Sequence, residues 1–163
     1  MPYEFKVTRR VEFSDTDMEG IMHFSNFFRF IETAEHAFFR SFGHSVVLAR
    51  SGLDVCLPRV HAECDYLAPL HFEDEVLIHL LVEKKSERSI TYQVRFTRLN
   101  GPEPCEAARA RLVVVCAQRR DGRLKAVPLP ETIARHIQQA PEELLFPPEQ
   151  SPVRAEAMPP ITA

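Results

Sequence analysis

The chain has 163 residues, 45% hydrophobic and 26% charged, with a formal net charge of −3. That length suits one domain with its own core, and the charge gives no electrostatic reason to expect nucleic acid or an anionic membrane as partner. No apolar run reaches the ~18 residues of a membrane span, and Met1 to Lys6 lacks the apolar segment of a secretion signal. Cytoplasmic location without membrane insertion is therefore expected. Cys56, Cys64, Cys105 and Cys116 have no C-x-x-C spacing and read as reduced, mostly buried thiols.

Phe5 to Phe13 alternates as a strand, with Phe5, Val7, Arg9, Val11 and Phe13 on one side. A loop through Gly20 leads to a helix over residues 26–42. Its apolar sector holds Phe27, Phe28, Phe30, Ile31, Ala34, Ala37, Phe38, Phe39 and Phe42, and its polar sector Arg29, Glu32, Thr33, His36 and Arg40. Gly43 is a natural stop. So wide an apolar sector predicts a helix wrapped by a curved sheet. Strands follow over Arg59 to Tyr66, Glu75 to Lys84, Ser89 to Leu99 and Glu106 to Gln118, with turn signals at Asn100-Gly101 and Asp121-Gly122. A short helix is expected over Pro130 to Gln139. Residues 1–140 read as the domain. Residues 141–163 are rich in proline and are expected to be irregular or loosely docked. One long helix followed by antiparallel strands predicts an α+β fold with the helix on the concave face of the sheet.

The most informative stretch is the acidic Asp15-Thr16-Asp17 turn between a strand and that helix. A carboxylate beside the free N–H groups of a helix start can attack, or direct water onto, a carbonyl held at the helix end. On spacing alone Asp17 reads more readily as a turn or capping acid, and Asp15 as a turn acid bonded to backbone. Glu35 falls in the apolar sector and reads either as a second site carboxylate or, more readily, as a residue that reaches the edge of the core. Glu32 is expected in a structural ion pair.

Asp15, Asp17, Gly20, Ile21, Ser25, Asn26 and Phe27 form a D-x-D-x-x-G stretch followed by S-N-F and an amphipathic helix. Ala62 to Val76 forms a second block, with the pair Asp65-Tyr66 ahead of Pro69. The two blocks resemble, in the same order, those of the 4-hydroxybenzoyl-CoA thioesterase family of hotdog-fold proteins. The resemblance covers roughly residues 5–118 and implies a curved antiparallel sheet wrapped around one long central helix. It implies a homodimer, or a tetramer as a dimer of dimers, with sites at the subunit interface, and hydrolysis of an acyl-CoA thioester without a cofactor. Asp17 matches the family's catalytic carboxylate, and the backbone N–H of Phe24 the group that polarises the thioester carbonyl. Gly20, Ser25 and Asn26 fall where the substrate site is shaped. His23 departs from a family aromatic and adds a donor or proton carrier, or simply packs; Glu19 stands where small residues are frequent.

Other candidates come from residue type. Arg59, Lys84, Lys85, Arg88, Arg119, Arg120 and Arg123, near strand ends, are the basic candidates to meet the phosphates of CoA, with Lys84-Lys85-x-x-Arg88 at a hairpin end first among them. No metal site is expected: His61 and Cys64 lie three apart on a strand and point to opposite faces. Ser25 beside His23 lacks an orienting acid and reads better as a helix N-cap than as a nucleophile. Twelve phenylalanines make an apolar or aromatic acyl pocket easy to build. The alternatives to an acyl-CoA thioesterase are an acyl-carrier-protein thioesterase and a non-catalytic acyl-CoA or lipid-binding hotdog module. A hotdog dehydratase does not suit the D-x-D-x-x-G loop.

Overall fold

The structure, a computed structural model, describes residues 2–147. Strand β1 (Glu4–Arg10) leads through a short 3-10 turn and a loop to helix α1 (Asn26–Ser41). Strands β2 (Arg59–Tyr66), β3 (Glu75–Lys85), β4 (Ser89–Arg98) and β5 (Cys105–Val115) follow. All pairings are antiparallel and the five strands lie in the order β1-β3-β4-β5-β2. The chain thus starts at one edge of the sheet, crosses its face as α1, enters the other edge as β2, and returns through β3 to β5. This is the α+β, helix-on-sheet hotdog architecture predicted above.

Period-two alternation sets the two sheet faces. Val76, Ile78, Leu80 and Val82 of β3 point with Ile90, Tyr92, Val94 and Phe96 of β4 into one buried cluster. Against them α1 lays Phe27, Phe30, Ile31, Ala34, Phe38 and Phe39. Each fully buried phenylalanine contributes roughly 1.5–3 kcal/mol, so the wide apolar sector is what seats the helix.

Some expectations are corrected. The first strand stops at Arg10; Phe13 enters a 3-10 turn and is 78% exposed. The last predicted strand ends at Val115, and Ala117–Arg120 (β6) then pairs with Arg123–Ala126 (β7) across Asp121-Gly122. The predicted helix over 130–139 shortens to Glu131–Ala134 (α2). Beyond it the backbone turns to the sheet edge, where Gln138 N–H donates to Pro2 and Ala140 N–H to Val82. The stretch expected to be irregular from residue 141 opens with a 3-10 turn at Glu142–Leu144. Buried Phe146 follows, exchanging two hydrogen bonds with the Gln93 side chain. Residues 148–163 of that stretch lie outside the described residues.

Candidate functional site

The site is built on a tight turn. Asp17 C=O accepts from Gly20 N–H and Asp17 N–H donates to Ile21 C=O, both at 3.0 Å. Asp17 Oδ1 accepts from Glu19 N–H at 2.8 Å, closing an Asx turn, and Gly20 takes φ +75°. One carboxylate oxygen of Asp17 thus fixes the loop. The other, Oδ2, accepts no hydrogen bond among the described residues and is open to chemistry. Asp15 is a turn acid as expected: its Oδ2 accepts from Glu12 N–H at 2.9 Å.

The turn is tied to the start of α1. Asn26, 8% exposed, donates from Nδ2 to the Asp15 carbonyl at 2.8 Å, and His23 N–H donates to the same oxygen at 2.9 Å. Asn26 N–H in turn donates to His23 C=O at 2.9 Å, fixing the peptide unit whose other end is the Phe24 N–H. Among the described residues that N–H meets no acceptor. A free backbone donor at a helix start, where the helix field favours negative charge, suits a developing oxyanion. Ser25 stands at the N-cap position yet its side chain makes no capping bond. Its hydroxyl lies 2.8 Å from His23 Nδ1, and the His23 ring packs on Phe24 with centroids 4.4 Å apart.

The loop after β2 supplies the facing wall. Leu67 and Ala68 N–H groups both donate to Ala107 C=O, and Met22 N–H donates to Leu70 C=O at 2.7 Å. Buried Asp74 holds the turn by accepting from His71 N–H at 2.7 Å. Between the walls lies a cavity of about 390 Å³ that includes Asp17, Met22, Phe24, Phe27, Tyr66 and Leu70 in its lining. Tyr66 packs edge-on against Phe27, whose ring meets Phe96 likewise, all at 5.1 Å. Sequence reasoning assigned no role to Tyr66, although it stood in the second quoted block.

The basic candidates do not join this cavity within one chain. Register aligns Arg59, Val114, Ile90 and Lys85 in one row across the sheet, and Tyr66, Ala108, Phe96 and Ile78 in another. Seven residues of β2 separate the rows, about 23 Å. Arg59 is committed to Glu35 and, at 3.6 Å, to Glu32. Lys85 Nζ donates to the carbonyls of Ala134 and Ile137. Lys84 and Arg88 remain exposed cations at that far end. Glu35 is not at the edge of the core but inside it, 3% exposed; burial pushes its carboxyl up against the opposing pull of Arg59. Burial likewise pushes the Cys64 thiol up to about 12, which makes it a poor nucleophile. No cluster suited to a metal ion occurs among the described residues.

Comparison with known proteins agrees with this architecture. The family model of the thioesterase-like superfamily matches residues 11–137. A 1,4-dihydroxy-2-naphthoyl-CoA hydrolase of Prochlorococcus marinus (strain NATL1A) is 34% identical over 104 residues, covering 60% of this chain and 69% of that protein. The crystal structure of a 1,4-dihydroxy-2-naphthoyl-CoA thioesterase from Synechocystis superposes with a TM-score of 0.74 at 28% identity, over 82% of this chain and 95% of that one. The 4-hydroxybenzoyl-CoA thioesterase of Pseudomonas sp. strain CBS-3 superposes with a TM-score of 0.73 over 82% and 99%; at 19% identity it shares the fold. With the family model spanning most of the chain and the sheet-and-helix architecture in agreement, the protein belongs to the thioesterase-like superfamily and is a hotdog-fold thioester hydrolase.

Proposed function

We propose that the protein hydrolyses an aryl-CoA thioester to the free acid and CoA, with Asp17 as general base or nucleophile. One observation carries the reading: the Asp17 carboxylate, with one oxygen unengaged, and Phe24, whose N–H is free, line the same cavity at the start of α1. The substrate carbonyl accepts from the Phe24 N–H, which offsets charge as the carbonyl becomes tetrahedral. Asp17 either removes a proton from the attacking water or attacks the carbonyl carbon itself, giving a mixed anhydride that water then opens. CoA departs as a thiolate and needs no strong acid. The aromatic lining from Phe24, Phe27 and Tyr66 supports a flat acyl group. So do the names of the relatives, which act on a naphthoyl thioester.

The test is release of free thiol from acetyl-, palmitoyl-, benzoyl-, 4-hydroxybenzoyl- and 1,4-dihydroxy-2-naphthoyl-CoA, with Asp17→Asn alongside. Asparagine keeps the Oδ1 acceptor that closes the turn and removes only the basic oxygen. Turnover greatest on the aryl thioesters and reduced about 10²-fold or more in Asp17→Asn is expected. Undiminished turnover in the variant refutes the role of Asp17. Wild-type turnover confined to the aliphatic thioesters refutes the aryl assignment.

A further inference from the structure

We propose that Tyr66 is a positioning residue for this hydrolysis, holding through its hydroxyl the backbone of the residue whose N–H receives the oxyanion. The inference rests on the role of Phe24 given above.

Apart from the bond to Tyr66, the Phe24 N–H and C=O make no hydrogen bond among the described residues. Phe24 precedes the helix by two residues, so α1 takes up neither its N–H nor its C=O, and the residue is 61% exposed. The Tyr66 hydroxyl donates to the Phe24 carbonyl at 3.1 Å, the sole hydrogen bond on that carbonyl among the described residues. The two residues are 42 apart in sequence, so the bond joins the helix start to the far wall of the cavity.

Tyr66 is suited to act as an anchor. It ends a strand whose partner register, Tyr66 opposite Ala108, is fixed by the ladder, and the next two N–H groups are held by Ala107 C=O. Its ring is braced edge-on by Phe27, which is buried. Burial and the neighbouring Cys64 push the phenol up to about 12, so it keeps its proton and stays a donor at every working pH. On the other side of Phe24, Asn26 N–H holds the His23 carbonyl. The two bonds together fix both peptide units that flank the Phe24 Cα, and so the direction of its N–H. Small misplacement of a catalytic group costs far more in rate than in stability.

Tyr66→Phe removes the donor and keeps the ring that packs on Phe27. The expected result is a fall in kcat of about ten-fold with KM nearly unchanged, in a protein whose thermal midpoint is close to wild type. A wall residue that only binds substrate would instead raise KM alone, and that result overturns the proposal, as does unchanged kcat. A second readout separates this inference from the reading beneath it. Benzoyl-CoA labelled at the carbonyl carbon is bound to Asp17→Asn, and its NMR resonance is compared with that of free benzoyl-CoA. A downfield shift that shrinks in Asp17→Asn/Tyr66→Phe supports the proposal. A shift that persists unchanged refutes Tyr66 and leaves Phe24 standing. No shift with Tyr66 intact refutes carbonyl polarisation itself, and the Tyr66 proposal with it.

Discussion

At the scale of single residues, two carboxylates show what local sequence reveals and what it hides. The turn that carries Asp17 was legible because everything that defines it lies within a few residues: an Asx turn, a glycine at positive φ and a helix start. The catalytic assignment of Asp17 rests on the family resemblance, since spacing alone favours a turn acid. Glu35 was misjudged because a helical wheel gives direction, not depth, and its partner Arg59 lies 24 residues away. Only 4% of the Glu35 side chain reaches solvent, against 31% of Arg59. Removing the guanidinium therefore strands a buried charge. Arg59→Met is expected to cost about 3 kcal/mol in urea unfolding, and adding Glu35→Gln to recover part of that loss. The pH dependence follows from burial. Folded Glu35 holds its proton more tightly than the unfolded chain, whose value is 4.5. Stability contributed by the protonated form is thus complete below 4.5 and is lost as pH rises toward the folded value. Arg59→Met raises that folded value further, so its deficit against wild type is expected to be larger at about pH 8 than at about pH 5. A deficit independent of pH would show that Arg59 acts by packing alone.

At the scale of elements, the turn that carries Asp17 owes its shape to Gly20. Nothing lies within 4 Å of a Cβ built there, so the cost of a side chain is the positive φ alone. Gly20→Ala is expected to lose about 1 kcal/mol of stability and to lower kcat, because the turn that presents Asp17 relaxes. Gly52 is the control: it has φ +74°, equally open space and no part in the cavity lining. Gly52→Ala is expected to lose similar stability with turnover intact, and equal losses of turnover in both would mean that Gly20 has no special tie to the site. The long elements were readable because their periodicity is enforced by burial: both faces of α1 and the alternation of β3 and β4 declare themselves. Strand β7 was not, because all four of its residues are exposed and nothing selects an alternating pattern. The short α2 was overestimated because its end is decided by Lys85 and by the β1–β3 edge, far away in sequence.

At the scale of the whole molecule, β2 is an outer strand whose second edge meets no strand among the described residues. Its surroundings are apolar: Val60 is 62% exposed, Leu67 53% and Tyr66 48%. An open edge flanked by apolar side chains favours pairing with a second copy. Two identical edges related by a two-fold axis pair antiparallel. Such a pairing would bring the Arg59 end of one β2 beside the Tyr66 end of the other, and with it the exposed Lys84 and Arg88 toward the neighbour's cavity. The basic residues, whose row lies about 23 Å along β2 from the Tyr66 row within one chain, would then serve the Asp17 of the other. Light scattering is expected to give two chains or more. The sharper test mixes two impaired proteins, Asp17→Asn and Lys84→Glu/Arg88→Glu, under conditions of subunit exchange. If the cations serve the opposite chain, each mixed dimer holds one intact site, and random exchange restores about a quarter of wild-type activity. If they serve their own chain, no mixed dimer holds an intact site and mixing restores nothing.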